Sequence, residues 1–168
     1  MSDTHPLAVL LILGGGRSGS TLLDLLLGSH ERAISVGELV NIDRYDSPSQ
    51  HCSCGETVSR CPFWRDVRSR WTTVAGYEVD LGRLRAWKAR YERSRSLPRV
   101  FVRGLAPDKD FQDYVAAHRA LYTAIRDVSG AELIIDSSKY PARALALHSM
   151  DRVDKYFVHL IRDSRGVA

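Results

Sequence analysis

A chain of 168 residues is long enough for one domain with a buried core and too short for several. With 44% hydrophobic and 26% charged residues it has the composition of a globular protein, which excludes a disordered chain. The net charge of +4 comes mainly from arginine and suits an anionic cofactor or acceptor. It does not single out nucleic acid, which we do not expect as a partner.

The N-terminus shows no signal sequence. No basic segment precedes the first apolar run, and that run leads into a glycine loop rather than a cleavage site. The run is also too short to cross a bilayer, so no transmembrane segment is expected. These features predict a cytoplasmic protein and leave its oligomeric state open.

The first predicted element is a strand over positions 7–13, a continuous apolar run that ends at Gly14 and is typical of the centre of a parallel sheet. A helix is predicted from Ser20. Its leucines between positions 22 and 27 cover almost the whole circumference, which predicts a helix enclosed by protein. The glycine-rich turn between strand and helix presents free backbone N–H groups and the positive end of the helix dipole, so it is predicted to bind a phosphate or sulfate group.

This turn differs from a nucleotide-binding Walker loop at one informative position. Four residues separate Gly14 from Gly19, as in that loop, and Thr21 occupies the place of its magnesium-binding hydroxyl. Ser20, however, replaces the lysine that neutralises charge on the β- and γ-phosphates, and the nearest cation is Arg17. The difference favours transfer of a less highly charged group without a metal ion, which fits a sulfuryl group.

Three motifs together resemble one enzyme family. They are Gly16-Arg17-Ser18-Gly19-Ser20-Thr21, Ile134-Ile135-Asp136-Ser137-Ser138-Lys139, and the stretch from His159 to Ala168. In this order they resemble the sulfotransferases that use 3′-phosphoadenosine 5′-phosphosulfate (PAPS), in their bacterial and carbohydrate-type branch. The resemblance covers nearly the whole chain. It implies an α/β fold with a three-layer, P-loop-like parallel sheet flanked by helices, in a single domain over residues 1–168.

The resemblance also assigns roles to individual residues. The 5′-phosphosulfate would be held by Gly16, Arg17, Ser18, Gly19, Ser20 and Thr21. Arg162 would bind the 3′-phosphate, and Arg17 would stabilise charge on the bridging oxygen as sulfate and phosphate separate. The acceptor would be a hydroxyl or amine of a small molecule, lipid or carbohydrate, and no metal would be required.

Glu38 is the candidate general base. Positions 33–36 predict a short strand, and Glu38 follows at its carboxyl end, which faces the ligand crevice in parallel sheets. There it would accept the proton of the acceptor, and the resemblance is consistent with a glutamate in this role. The alternative is a solvated glutamate that caps the next helix. His30 and His51 are weaker candidates for the base.

The three cysteines lie in a polar, irregular insertion over residues 41–64. With a neighbouring histidine they offer four potential zinc ligands: His51, Cys52, Cys54 and Cys61. The Cys-x-Cys spacing is tighter than usual and a second pair is missing, so no metal is predicted. A permanent disulfide is disfavoured in the cytoplasm. A further alternative, from the resemblance, is an acceptor-side insertion that Phe63 and Trp64 anchor to the core.

The middle of the chain predicts two amphipathic helices. One covers residues 81–95, with aromatic and leucine residues at helical spacing among basic residues. The other covers residues 108–128, ends at Gly130, and carries His118 in its apolar stripe, where a histidine is expected to be structural. Between them, residues 100–102 are predicted as a short strand or an extended linker.

A buried strand is predicted over positions 132–135, and Asp136-Ser137-Ser138-Lys139 is predicted as a turn at its carboxyl end, on the same rim as the glycine turn. Lys139 is therefore a candidate to approach the phosphosulfate or acceptor and to assist the leaving group. In the simpler interpretation the polar residues fix the turn and Ser138 starts a helix. Positions 156–161 predict a further strand.

A helix is expected after this last strand, capped by Asp163 or Ser164. By resemblance it would hold a serine that shares the 3′-phosphate with Arg162, and its position would lie beyond Ala168. The chain is thus expected to be a truncated sulfotransferase or its N-terminal part, inactive or impaired as this fragment. Two alternatives stay open: a P-loop nucleotide kinase or NTPase, disfavoured by Ser20, and a non-catalytic nucleotide-binding remnant.

Overall fold

A parallel sheet of four strands forms the centre of the computed structural model, which describes residues 6–163. The strands are β1 (Leu7–Gly14), β2 (Ala33–Ser35), β3 (Leu133–Lys139) and β4 (Val153–Leu160). Their order across the sheet is β2-β3-β1-β4, and each neighbouring pair is parallel. The prediction of an α/β fold with a parallel sheet flanked by helices is confirmed. The helix expected after β4 falls outside the described residues.

The helices of the described region are α1 (Ser20–Gly28), α2 (Pro62–Ala75), α3 (Leu81–Trp87), α4 (Leu97–Leu105), α5 (Lys109–Ser129) and α6 (Pro141–His148). A π-helical turn over Lys88–Glu92 continues α3, and 3₁₀ segments cover Leu39–Arg44 and Ser94–Ser96. The amphipathic prediction holds for α5. Asp108 caps its start by accepting from the Phe111 N–H at 2.9 Å, and Gly130 ends it in the left-handed conformation. Between residues 6 and 163, no helix has both the length and the apolar character needed to cross a membrane.

The helices divide between the two faces of the sheet. The chain crosses the sheet in one direction from β1 to β2 and in the other from β2 through β3 to β4. Right-handed connections therefore put α1 on one face and the later helices on the other. Val9 and Leu11 of β1 pack in the core with residues of α2 and α5. His118 is buried in α5, as expected of a structural histidine.

The prediction that α1 is enclosed by protein is wrong. Leu22, Leu25 and Leu26 are 63%, 61% and 62% exposed, and the buried side chains of the helix are Ser20 and Asp24. The helix packs mainly on β2 and β3. A sheet covers only one side of a helix, so the leucines on the other side remain exposed.

Two further predictions are wrong for local reasons. Residues 100–102 belong to α4 rather than to a strand, because Pro98 occupies the first turn of a helix, where its fixed φ fits and no N–H is needed. β3 continues to Lys139, so the predicted turn at residues 136–139 is part of the strand. Ser138 does not start a helix, since Tyr140 holds the cap position of α6.

The insertion at residues 41–64 is only partly irregular. It contains most of the first 3₁₀ segment, an isolated backbone bridge between His51 and Thr57, and the first turn of α2. Trp64 is buried, and Phe63 meets it edge-on with 5.3 Å between ring centroids. Both side chains pack on the core, as predicted.

Candidate functional site

The carboxyl ends of the four strands lie at one edge of the sheet, where parallel α/β sheets bind their ligands. The turn between β1 and α1 lies at this edge and contains left-handed backbone: Gly14, Arg17 and Gly19 have φ values of 153°, 61° and 94°. The glycines adopt these angles freely, whereas Arg17 is strained as a non-glycine residue. Strained residues of this kind cluster at ligand-binding turns.

The start of α1 lies at the same edge. Gly19 occupies the N-cap position, and no side chain of the described residues caps the helix there. The Ser18 hydroxyl is buried and has no hydrogen-bond partner among the described residues. Ser20 is buried, whereas Thr21 is exposed. Within the described region, the turn therefore offers a helix N-terminus and a hydroxyl donor to an anionic group.

Arg162 lies beside the glycine turn. β4 pairs with β1 so that Leu160 is opposite Gly14, and Arg162 follows shortly after. Its guanidinium donates to the Arg17 carbonyl oxygen at 3.4 Å. Two arginines from opposite ends of the described chain are thus brought together. The rest of the third motif, from Ser164 to Ala168, lies outside the described residues.

Glu38 and Lys139 form an ion pair on the other flank of β1. Lys139 lies opposite Leu13, directly before the turn, and its φ of 68° is also left-handed. The Lys139 ammonium donates to the Glu38 carboxylate at 2.6 Å, and the Asn41 amide donates to the second carboxylate oxygen at 3.4 Å. Glu38 occupies the N-cap position of the 3₁₀ segment Leu39–Arg44, where the alternative interpretation places it, but its side chain makes no capping hydrogen bond.

A buried hydrogen-bond network fixes the end of β3. Asp136 accepts from both the N–H and the hydroxyl of Ser138, and the Ser138 hydroxyl accepts from the Val40 N–H at 2.9 Å. The other Asp136 oxygen accepts from the Tyr122 hydroxyl at 2.6 Å and from the Arg143 guanidinium at 3.3 Å. These bonds tie the end of β3 to the 3₁₀ segment and so hold both partners of the ion pair in place.

Arg143 is the buried cation of this network, with 1% of its surface exposed. It also donates to Glu92 at 2.7 Å, and Glu92 accepts from the Tyr114 hydroxyl at 3.0 Å. Desolvation opposes the charge, but attraction to Glu92 and the other acidic groups outweighs it and raises the pKa of the guanidinium. Burial raises the pKa of the Glu92 carboxyl despite the arginine. The positive charge beneath the site is therefore permanent.

A cavity of about 680 Å³ opens beside Glu38. Its walls come from α1, β2, the 3₁₀ segment Leu39–Arg44, residues 50–61 (the cysteine segment) and the first turn of α2. On one wall the Ser35 hydroxyl donates to Asp24 at 2.7 Å, and the second Asp24 oxygen has no partner in the described part of the chain. Burial raises the pKa of this carboxyl. A smaller cavity of about 270 Å³, lined by residues such as Leu7 and Arg152, contains none of the predicted site residues.

The three cysteines converge on the wall of the larger cavity. Their sulfur atoms all lie within 4.8 Å of one another, and the sulfurs of Cys52 and Cys61 are 3.5 Å apart. All three are free thiols, with Cys61 buried and Cys54 exposed. His51, the fourth ligand considered from the sequence, is not part of this cluster.

Asp24 and Arg143 carry little signal in the sequence. Asp24 interrupts the leucines of α1 one turn after Ser20. A charged residue at this place near the start of an apolar helix is the one sequence feature that indicates its burial next to the site. Arg143 has the spacing of an ordinary surface arginine on a short helix. Its partners Glu92 and Asp136 belong to other elements, so the pairing becomes visible only in the folded chain.

Comparison with known proteins finds no relative of this chain. No family model, curated protein or solved structure matches the chain. The case for a function therefore rests on the residues at the carboxyl edge of the sheet and on the motifs that carry the resemblance.

Proposed function

We propose that the chain is a sulfotransferase that moves the sulfuryl group of PAPS to a hydroxyl or amine acceptor. One observation carries the proposal: the glycine turn, Arg162 and the Glu38–Lys139 pair meet at one edge of the sheet. An anion-binding turn, a second cation and a carboxylate base are the groups that such a transfer needs.

The glycine turn holds the 5′-phosphosulfate in this proposal. The Ser18 hydroxyl, which has no partner within residues 6–163, and the N–H groups at the start of α1 donate to its oxygens. Arg17 stabilises the charge that develops on the bridging oxygen. Arg162 binds the 3′-phosphate next to it. Because a sulfuryl group is less highly charged than a phosphoryl group, these donors replace a metal ion.

The transfer step uses Glu38 and Lys139. The acceptor oxygen or nitrogen forms a bond to sulfur, while the bond from sulfur to the bridging oxygen breaks and its electron pair stays on the 5′-phosphate. Glu38 takes the acceptor proton. Lys139, which donates to Glu38 at 2.6 Å, positions this carboxylate before the acceptor binds and then assists the leaving phosphate.

The cavity beside Glu38 binds the acceptor. Its volume of about 680 Å³ accommodates a small molecule, a sugar or the end of a lipid. Leu25 and Phe63 supply apolar wall, and Asn41 and Gln50 supply polar groups. We assign the reaction to the cytoplasm, where reducing conditions keep cysteines as free thiols.

A P-loop kinase or NTPase and a non-catalytic nucleotide-binding domain are the competing functions. Ser20 stands in the lysine position of a Walker loop and is only 3% exposed, so it supplies no cation to a transferred phosphate. The non-catalytic domain needs only the turn and Arg162. Ligand titrations separate the kinase or NTPase from the other two functions, and a sulfuryl-transfer assay separates those two.

The test is calorimetric titration of the 168-residue chain with 3′-phosphoadenosine 5′-phosphate, with AMP, and with ATP plus Mg²⁺. We expect the first ligand to bind about tenfold more tightly than AMP or better, because only it offers a 3′-phosphate to Arg162. Arg162→Ala should remove this difference and leave AMP affinity unchanged. Arg99→Ala, an exposed position of α4, is the matched control.

Three results would count against the proposal. A preference for ATP with Mg²⁺ would favour the NTPase. Equal affinity for AMP and the bisphosphate would remove the role of Arg162. Selective binding without transfer of labelled sulfuryl groups to a panel of hydroxyl and amine acceptors would favour the non-catalytic domain.

A further inference from the structure

The cysteine cluster takes no part in the proposed transfer, yet the backbone holds its members together. Cys52 and Cys54 belong to a tight turn in which the Gly55 N–H donates to the Cys52 carbonyl at 3.0 Å. Cys61 occupies the N-cap position of α2, and its N–H donates to the Thr57 carbonyl at 2.9 Å. The turn with Cys52 and Cys54 and the start of α2 thus place the three sulfurs close together.

The separation of the sulfurs fits a tetrahedral metal ion. With zinc–sulfur bonds of about 2.3 Å, two sulfurs on one zinc ion lie about 3.8 Å apart. The three sulfurs here lie within 4.8 Å of one another, with 3.5 Å between Cys52 and Cys61. Small side-chain rotations therefore bring all three onto one ion. A disulfide would use two of them and leave the third without a role.

We propose that Cys52, Cys54 and Cys61 bind one zinc ion as three thiolates, with the fourth coordination position open to the cavity. Binding releases up to three thiol protons to solvent, and a water molecule completes the coordination because the cysteines line the cavity wall. Soft thiolate ligands select zinc over magnesium and calcium. The ion fixes the cysteine segment to the start of α2 and so shapes one wall of the cavity. This inference holds whether or not the chain transfers sulfuryl groups.

The test is titration of the reduced full chain with Co²⁺, followed by displacement with Zn²⁺. Thiolate ligation gives a charge-transfer band in the near ultraviolet, and tetrahedral geometry gives intense visible bands. We expect one Co²⁺ per chain. Cys54→Ser, at an exposed position, should weaken binding about tenfold or more, because it removes one of three thiolates. Ser49→Ala, at an exposed serine that hydrogen-bonds to Ser47, should bind like the wild type.

Circular dichroism checks that Cys54→Ser is folded, which its exposure favours. Zinc should also raise the melting temperature of the wild type and leave that of Cys54→Ser nearly unchanged. The proposal fails if the reduced chain shows no charge-transfer band, or if Cys54→Ser binds Co²⁺ as tightly as the wild type. It also fails if peptide mapping of chain kept under reducing conditions finds a disulfide among these cysteines.

Discussion

Arg17 combines backbone strain with an exposed charge at the edge of the sheet. Its φ of 61° is unfavourable for a residue with a side chain, and its carbonyl accepts from Arg162. A conformation of this kind persists only when the surrounding turn enforces it. The backbone of Arg17 is therefore fixed in the turn before a ligand arrives, and the proposed function needs a cation at this place.

The first prediction follows from this placement. Arg17→Ala should lower turnover in a sulfuryl-transfer assay by about 10²–10³-fold, while affinity for 3′-phosphoadenosine 5′-phosphate falls by less than about tenfold. The reason is that the charge is needed mainly on the bridging oxygen of the transition state. Arg17→Lys, which keeps a cation, is the control and should recover part of the turnover. Equal losses in turnover and affinity would contradict the transition-state role.

Gly28 carries a second prediction, about packing. A Cβ at this position would lie 2.6 Å from the Ser35 Cβ, so Gly28→Ala should lower the free energy of unfolding by about 1–3 kcal/mol in urea denaturation. Gly104→Ala in α4 is the control. The nearest atom to its added Cβ is the Ser149 hydroxyl at 3.7 Å, so it should gain up to about 1 kcal/mol from better helix propensity. Equal stability of the two variants would mean that α1 and β2 do not pack this closely.

The sequence mispredicts elements whose conformation depends on contacts with other segments of the chain. Asp136 and Ser138 have the polar character of a turn, yet they are 0% and 1% exposed within β3. They can be buried because Val40, Tyr122 and Arg143 satisfy their hydrogen bonds. Those partners come from three other segments, and no pattern within the strand indicates them.

The third prediction concerns the link between β3 and the 3₁₀ segment. Ser138→Ala leaves the buried Val40 N–H without its partner at 2.9 Å, which should cost about 1–3 kcal/mol of unfolding free energy. Thr123→Ala is the matched control, because that exposed hydroxyl bonds only to the Arg119 carbonyl of its own helix. It should change stability by less than about 0.5 kcal/mol. If chemical denaturation finds the two variants alike, the bond to Val40 does not stabilise the fold.

At the scale of the whole molecule, hydrophobic runs and turn residues predicted the parallel sheet, since β1, β2, β3 and β4 each contain consecutive apolar residues. The order of the strands could not be predicted, because the hydrophobic pattern of each strand indicates burial but not its position in the sheet. The Glu38–Lys139 pair depends on that order, which puts β3 between β2 and β1. The convergence of the cysteines depends in the same way on the path between β2 and α2.

His118 makes the stability of the whole molecule depend on pH. Its Nδ1–H donates to the Tyr114 carbonyl at 2.9 Å within the core. Burial, and then the charge of Arg143, lower the pKa of the imidazole from 6.5 to about 3. In the unfolded chain the imidazole takes up a proton near pH 6.5. Stability from the neutral form is therefore present above pH 6.5 and is lost as the pH falls toward 3, because the unfolded state binds more protons in that window.

The fourth prediction compares the wild type with His118→Gln. The glutamine side chain does not titrate, and its amide can still donate to the Tyr114 carbonyl. Between about pH 7.5 and about pH 5, the wild type should lose about 2 kcal/mol more unfolding free energy than the variant in urea denaturation. The raised pKa of Glu92 acts in the opposite sense, but Glu92 is present in both chains and affects both curves. His30→Gln, at an exposed histidine, should follow the wild type. If unfolding free energy depends on pH in the same way for the wild type and for His118→Gln, the folded protein accepts a proton at His118. That result would contradict the lowered pKa of the buried imidazole.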